Sequence, residues 1–247
     1  METYPIDINC DLGEGMGNEK DLMPYISSCN IACGGHAGDE ATIAQVMQLA
    51  KEYQVKVGAH PSYPDKENFG RIAMDITSEA LKESIREQLV LFVKVAERTN
   101  VKINHIKPHG ALYNAIAKEQ VLAEVFLEAI RDYVKKSILY VPFGSIIANL
   151  AINQGFQVQY EAFADRNYNR DLSLVSRKKD IAVITDPQEV VAHLLSMVKE
   201  GQVNTISGNS VTIKADTFCV HGDTPTALKI LAYLSKELPK NQVYIKK

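Results

Sequence analysis

The sequence predicts an α/β fold on a parallel sheet. Two observations carry this. Short β-favouring runs alternate with stretches of helical period, and about seven such units follow one another in a chain of 247 residues. Both a closed (β/α) barrel and an open doubly wound sheet satisfy that alternation. A third observation, the gathering of ionisable residues at the ends of the strand runs, suits a barrel, which brings those ends to one mouth. The strand candidates are residues 6–9, 30–32, 55–59, 103–107, 138–141, 158–161 and 217–220. Helical faces are formed by Ile43, Val46, Met47 and Ala50, by Leu81, Ile85, Leu89, Phe92, Val93 and Ala96, and by Val121, Val125, Phe126, Ala129 and Ile130. Asp39 reads as the N-cap of the first of these. Asp186-Pro187-Gln188-Glu189 reads as an N-cap, a first-turn proline and a capping-box Glu, and Thr224-Pro225 as the start of the last helix. Residues 165–214 break the rhythm with a loop, the 181–184 run, a helix and a hairpin pairing 203–207 with 210–214 around Gly208-Asn209. With no internal repeat or linker, one domain over 1–247 is expected, carrying that insertion before the last strand.

Composition excludes several classes. Hydrophobic residues at 46% and charged residues at 23% rule out disorder. A net charge of −3 argues against a nucleic-acid partner. No apolar run approaches the ~20 residues of a membrane helix, and the first residues lack a signal pattern. Cys10, Cys29, Cys33 and Cys219 form no C-x-x-C pair, so a reduced, cytoplasmic protein is expected.

The polar residues follow strand periodicity. Asp7, Asn9 and Asp11 oppose Ile6 and Ile8. Lys56, Gly58 and His60 oppose Val55, Val57 and Ala59; His105, Lys107 and His109 share one face; Gln157, Gln159 and Glu161 share another; Thr217, Cys219 and His221 oppose Phe218 and Val220. A strand covered on both faces should be nearly all apolar. Burying this many ionisable groups unpaired would cost several kcal/mol each, so they are expected to surround a substrate, a metal or ordered water. The following loops share the bias, and five of the six histidines fall in these strand ends and loops. Taken singly, Asp39 is a helix cap, the glycines serve turns, and a strand-end His is more often structural than catalytic. Together they mark a functional site. Phosphate-loop, dinucleotide-binding and G-x-S-x-G patterns are absent, and Gly13-Glu14-Gly15-Met16-Gly17 matches none of them.

Six blocks carry a resemblance: Asp7-Ile-Asn-Cys-Asp-Leu-Gly-Glu14, Asn30-Ile-Ala-Cys-Gly-Gly-His-Ala-Gly-Asp39, Gly58-Ala-His-Pro-Ser-Tyr-Pro-Asp65, Lys107-Pro-His-Gly-Ala-Leu-Tyr-Asn114, Glu161-Ala-Phe-Ala-Asp-Arg166 and Val220-His-Gly-Asp223. In this order they resemble the LamB/YcsF family, the A subunit of the ATP-dependent 5-oxoprolinase. The chain departs from the family where it has Gly35 for a usual Phe, Ile72 for a usual Arg, and Leu174-Val-Ser-Arg177 for a usual Leu-Val-Pro-Arg.

The resemblance implies a distorted (β/α)7 TIM-like barrel related to the glycoside hydrolase and deacetylase barrels. It implies opening of the 5-oxo-L-proline lactam to L-glutamate, coupled to ATP hydrolysis, with partner subunits B and C and Mg2+ accompanying ATP. On that basis Lys107, with Arg71, neutralises phosphoryl charge, and Asp11 or Glu161 is the general base or a metal ligand. His60, His109 and His221 move protons. Glu14, with the glycine N–H groups beside it, holds Mg2+–phosphate or substrate. Asn9, His36, Asp65, Asp165 and Arg166 complete the expected substrate- or nucleotide-binding set. Whether ATP binds this chain or a partner stays open, as does the identity of any tightly bound metal. Two rivals stand beside this reading: an ATP-independent metal-dependent deacetylase or amidohydrolase, with Asp11, His60 and His109 as its metal set, and a non-catalytic subunit that binds a small acid.

Overall fold

The structure, a computed structural model, describes residues 2–133 and 137–247. Seven parallel strands close on themselves: β1 (Tyr4–Leu12), β2 (Ser28–Ala32), β3 (Lys56–His60), β4 (Ile103–Ile106), β5 (Ile138–Pro142), β6 (Val158–Phe163) and β9 (Thr217–Cys219), with β9 pairing both β6 and β1. The barrel, not the open sheet, is the fold, and each of the seven sequence runs supplies one of its strands. β7 (Gln202–Asn204) and β8 (Ser210–Thr212) form a separate antiparallel pair, and β10 (Val243–Ile245) lies parallel to the start of β1.

Helices α2 (Glu40–Glu52), α3 (Ser78–Thr99) and α5 (Gln120–Ile130) pack the predicted apolar faces against the outward strand residues, except that Val93 is only partly buried and Val121, in the first turn of α5, is exposed to solvent. Ile8, Cys10, Ile31, Val57, Ile106 and Val141 meet that shell and are almost fully buried. Asp39 caps α2 by accepting from Thr42 N, and Asp186 caps α7 (Pro187–Leu195) by accepting from the N–H groups of Gln188 and Glu189.

Several expectations are corrected. The last helix, α8 (Ala227–Glu237), starts after Thr226, not at Thr224-Pro225; residues 221–226 form the turn that carries His221 and Asp223 instead. The hairpin has a five-residue connection, with Thr205 N bonded to Asn209 O, so Val203 faces Val211 and not Lys214. Short helices α1 (Glu19–Leu22), α4 (Gly110–Ile116) and α6 (Ile146–Asn153) and strand β10 fall below the length at which periodicity shows.

The inward faces are polar in layers. At the bottom, Asp7 accepts from Ser28 Oγ (2.7 Å), Thr217 Oγ1 (2.8 Å) and Lys56 Nζ (3.1 Å). Above it, Asn30 Nδ2 donates to Asn9 Oδ1 and Asp11 Oδ1 (both 2.7 Å), and Asn30 Oδ1 meets His105 Nε2 at 2.6 Å. The His105 ring stacks on Tyr140 with centroids 4.0 Å apart. These lower layers satisfy one another, which corrects the expectation that every inward polar residue borders a ligand. Only the top layer meets open space.

Gly58 makes room for this packing, because a β-carbon there would collide with the His105 imidazole. Gly58→Ala should therefore destabilise the protein by at least about 1–3 kcal/mol, the usual range for overpacking. Urea denaturation followed by circular dichroism measures this, and an unchanged midpoint would show that the ring is free to move.

Candidate active site

The top layer is organised around one cation. Lys107 follows β4 and is 2% exposed. Its Nζ lies 2.9 Å from Asp11 Oδ1, 2.9 Å from Glu161 Oε1, 3.1 Å from Cys219 Sγ and 3.3 Å from Asn9 Oδ1. Burial works against its charge, but Asp11 leads the neighbours that outweigh burial and hold its pKa well above the usual lysine value. Burial likewise pushes Asp11 up, while His60 and Lys107 pull harder and leave it well below the aspartate range. The floor is thus a buried ammonium beside the Asp11 carboxylate, with the Glu161 carboxyl group behind it.

Beside it stand three imidazoles and a carboxylate. His60 ends β3, and its Nδ1 is 2.7 Å from Lys107 O. His109 directly precedes α4, with Nε2 2.9 Å from Phe69 O and Nδ1 2.9 Å from His60 Nε2. Glu14 Oε1 lies 2.9 Å from His36 Nε2, 3.4 Å from His109 Nδ1 and 4.0 Å from His60 Nε2. Asp11 Oδ2 is 3.5 Å from His60 Nε2. Burial, then the neighbouring Asp11 and Asp223 charges, raise the Glu14 pKa well above the ordinary value. Burial, then His60, depress His36 to about 2, so it is neutral.

On the opposite side, His221 follows β9 and donates its backbone N–H to Asp165 Oδ2 at 2.9 Å, while its Nδ1 lies 2.9 Å from Oδ1. Asp165 is completely buried, and although burial raises its pKa, His221 leads the groups that bring it below the usual value. The groups meet in a cavity of about 510 Å³ lined by Asp11, Glu14, His60, Lys107, His109 and His221. Phe163 and Tyr113 form an aromatic wall, and exposed Arg71, Arg177 and Lys178 give the rim positive charge. Arg71 pairs with Asp223 across the mouth.

The remaining predicted residues take supporting places. Asn9 is fully buried below Lys107 and does not line the cavity. His36 sits behind His109, with rings stacked at 3.6 Å. Glu161 is reached through Lys107 and not from this cavity. Arg166 touches the cavity, but its guanidinium braces the following loop through Ala182 O and Val175 O. Asp65 is not brought to the site: its carboxylate accepts from Asn68 N and Nδ2 and shapes the turn. Sequence reasoning put Cys219 on the polar face of the last strand without giving it a role, and did not single out Tyr113, Arg177 or Lys178. Tyr113 stands inside the fourth block, but nothing local to Tyr113 shows that its ring faces the cavity.

Comparison with known proteins places this geometry. The profile of the LamB/YcsF family matches residues 6–247. This chain belongs to the LamB/YcsF family. The A subunit of 5-oxoprolinase from Pyrococcus abyssi is 44% identical over 245 residues, covering 97% of this chain and 96% of that protein. Its counterpart from Clostridium beijerinckii is 40% identical over 247 residues, covering 98% and 97%. The lactam utilization protein of Thermus thermophilus superposes with a TM-score of 0.91 at 32% identity, over 98% of this chain and 99% of that one. These LamB/YcsF relatives support a role in the 5-oxoprolinase complex, as one subunit among others. The structure also accounts for Gly35: the Ser62 hydroxyl and the Gln88 amide occupy the space a β-carbon would need, and Gln88 is anchored to Ser62 N and O at 3.0 and 2.9 Å. Ile72 stands 56% exposed on the basic rim.

Replacing Lys107 by Met leaves Asp11 and Glu161 buried without their cation, and should cost about 3–5 kcal/mol in urea denaturation. A smaller loss would mean that water reaches the carboxylates. Acid stability follows from the lowered pKa values. Burial depresses the folded pKa of His36 and His105, so the unfolded chain protonates them first and stability declines as pH falls below about 6.5. Asp11 and Asp165 are also depressed, so their contribution, complete above about 3.9, is lost as pH falls through the folded values. The urea midpoint should therefore fall in two stages on acidification.

Proposed function

We propose that this chain is the A subunit of a 5-oxoprolinase and carries the ring-opening step, in which 5-oxo-L-proline becomes L-glutamate with hydrolysis of ATP. The observation that carries this reading is the buried Lys107–Asp11–Glu161 triad at the floor of a cavity, in a chain aligned end to end with proteins named as the A subunit of 5-oxoprolinase. A lactam carbonyl is stabilised by amide resonance, and its leaving nitrogen stays tethered, so ring closure competes with hydrolysis. Transfer of the terminal phosphoryl group of ATP to the carbonyl oxygen releases ADP and makes the carbon electrophilic; water adds there, the C–N bond breaks, and a second water hydrolyses the resulting acyl phosphate to glutamate and phosphate.

The side chains present match those needs. Lys107 is held charged and offers Nζ to developing negative charge on the substrate oxygen. Arg71, Arg177 and Lys178 attract the substrate carboxylate and phosphoryl groups toward the mouth. Asp11 Oδ1 is committed to Lys107 and Asn30, but Oδ2, 3.5 Å from His60 Nε2, takes the proton from the attacking water, and His60 orients that carboxylate. Asp165 fixes His221 through Nδ1, which leaves Nε2 to protonate the departing ring nitrogen. Tyr113 and Phe163 shield the carbonyl from bulk water. Subunits B and C complete the enzyme, and the setting is the cytoplasm, consistent with four buried free cysteines.

The test is reconstitution with subunits B and C, measuring glutamate from 5-oxoproline with and without ATP. Asp11→Ala, His60→Ala and Lys107→Ala should each lower the ATP-dependent rate by about 10²–10³-fold, the scale of losing one charge-stabilising group. Full turnover by these variants would overturn the assignment. Turnover without ATP would favour the ATP-independent amidohydrolase, and binding of 5-oxoproline by a chain dispensable for turnover would favour a non-catalytic subunit.

A further inference from the structure

Hydrogen-bond accounting within the imidazole cluster points to a site of its own. A neutral imidazole has one N–H donor and one acceptor nitrogen. His60 Nδ1 lies 2.7 Å from the carbonyl oxygen of Lys107, which only accepts, so that nitrogen carries the hydrogen. His109 Nε2 lies 2.9 Å from the carbonyl oxygen of Phe69, and the same reasoning applies. Both remaining nitrogens are therefore lone-pair donors, yet His60 Nε2 and His109 Nδ1 face one another at 2.9 Å. Two lone pairs do not bond to each other. A shared proton or a metal cation has to lie between them.

The third group decides between these. Glu14 Oε1 converges on the same point, 3.4 Å from His109 Nδ1 and 4.0 Å from His60 Nε2. A proton shared by two nitrogens needs no third donor. The edges of this triangle bracket the roughly 3.3 Å that separates ligands held by bonds of about 2.0–2.1 Å in a tetrahedral site. We propose that His60 Nε2, His109 Nδ1 and Glu14 Oε1 bind one divalent transition-metal ion, with zinc the first choice for this two-nitrogen, one-oxygen set and the fourth position open to the cavity.

The surroundings are those of a metal site. Each ligating imidazole donates its other ring nitrogen to a main-chain carbonyl, which fixes tautomer and ring plane. His36 Nε2 contacts the ligating oxygen of Glu14 at 2.9 Å and orients the carboxylate. His36 is not a ligand to the same ion. Its ring is parallel to His109 within 2° at a centroid spacing of 3.6 Å, so an ion in the plane of one ring lies well off the plane of the other. Asp11 Oδ2, 3.5 Å from His60 Nε2, is the carboxylate oxygen next to the open position. Three protein ligands with the fourth position facing a cavity is the arrangement of a catalytic, not a structural, zinc site. The inference rests on side-chain geometry alone and stands apart from the lactam and ATP assignment.

The test uses the untagged full-length chain, stripped with chelator and checked for a native circular dichroism spectrum. Cobalt(II) is titrated in and read by its visible absorption. One equivalent should bind with the intense bands of a low-coordinate nitrogen–oxygen site, and zinc should displace it. His109→Ala and Glu14→Gln should each lose more affinity than the about 10–100-fold expected of His36→Ala, which removes only an outer partner. If the folded wild-type chain takes up no stoichiometric cobalt or zinc, the nitrogens share a proton and the proposal fails. It fails equally if uptake is undiminished in folded His109→Ala and Glu14→Gln. The wild-type titration decides even if those variants do not fold. Metal binding is read on the isolated chain and ATP dependence on the reconstituted complex, so either inference can fail without the other.

Discussion

The whole structure depends on keeping an ionised Lys107 inside a parallel barrel. An ammonium group out of water is tolerable only when its attraction to nearby carboxylates offsets several kcal/mol of desolvation. Asp11 from β1 and Glu161 from β6, the two strands that flank β9, provide this. The contact ties β1, β4 and β6 together across the interior, where most barrels of this class stack branched aliphatic side chains. The same requirement reaches downward. Asp11 also accepts from Asn30, Asn30 from β2 engages Asn9 and His105, and Asn9 Nδ2 donates to Thr217 Oγ1. Each polar group satisfies the one above it, so the interior is a hydrogen-bonded column and not a set of isolated buried charges.

This column separates what holds the fold from what can do chemistry. Below Lys107 the polar side chains of the column, from Asn9 and Asn30 down to Asp7, are spent on one another. Above it, atoms are left with capacity to spare: Asp11 Oδ2, the facing nitrogens of His60 and His109, and His221 on the far side. The two sides of the cavity differ in character. The His60–His109–Glu14 side is rich in lone pairs and suits a cation. The His221–Phe163–Tyr113 side is aromatic, with one imidazole fixed by a buried carboxylate. A reaction that must stabilise charge on one atom and deliver a proton to another needs such a difference across a few ångströms.

The architecture was largely legible because barrel strands keep strict alternation. Asp7, Asn9 and Asp11 against Ile6 and Ile8 announce an interior different from the shell, and the structure places the two sets where the alternation puts them. The site was legible in its strand-end members, Asp11, His60, Lys107, His109 and His221, because parallel closure collects strand ends. Asp65 misled, because an Asp in a polar loop looks the same whether it faces a ligand or caps its own turn. Arg166, expected to bind substrate or nucleotide, touches the cavity, but its guanidinium serves the backbone of its own loop. The hairpin register slipped because Gly208-Asn209 resembles a two-residue turn while the Thr205–Asn209 hydrogen bonds close a longer one.

By itself, the sequence determined the order of the elements, the side of each strand that would be polar, and the collection of histidines and carboxylates at one rim. Those properties are local, set by alternation and by short polar blocks. Tertiary structure alone decided which of those groups act on one another. Lys107 and Asp11 are 96 residues apart and His60 and His109 are 49 apart, so no local pattern encodes a hydrogen bond between them. Closure of the barrel made the ammonium a buried partner of two carboxylates. The loop from Phe69, by accepting the proton-bearing nitrogen of His109, turned its other nitrogen toward His60. That orientation comes from the direction of one carbonyl, and it converts a list of imidazoles into a site.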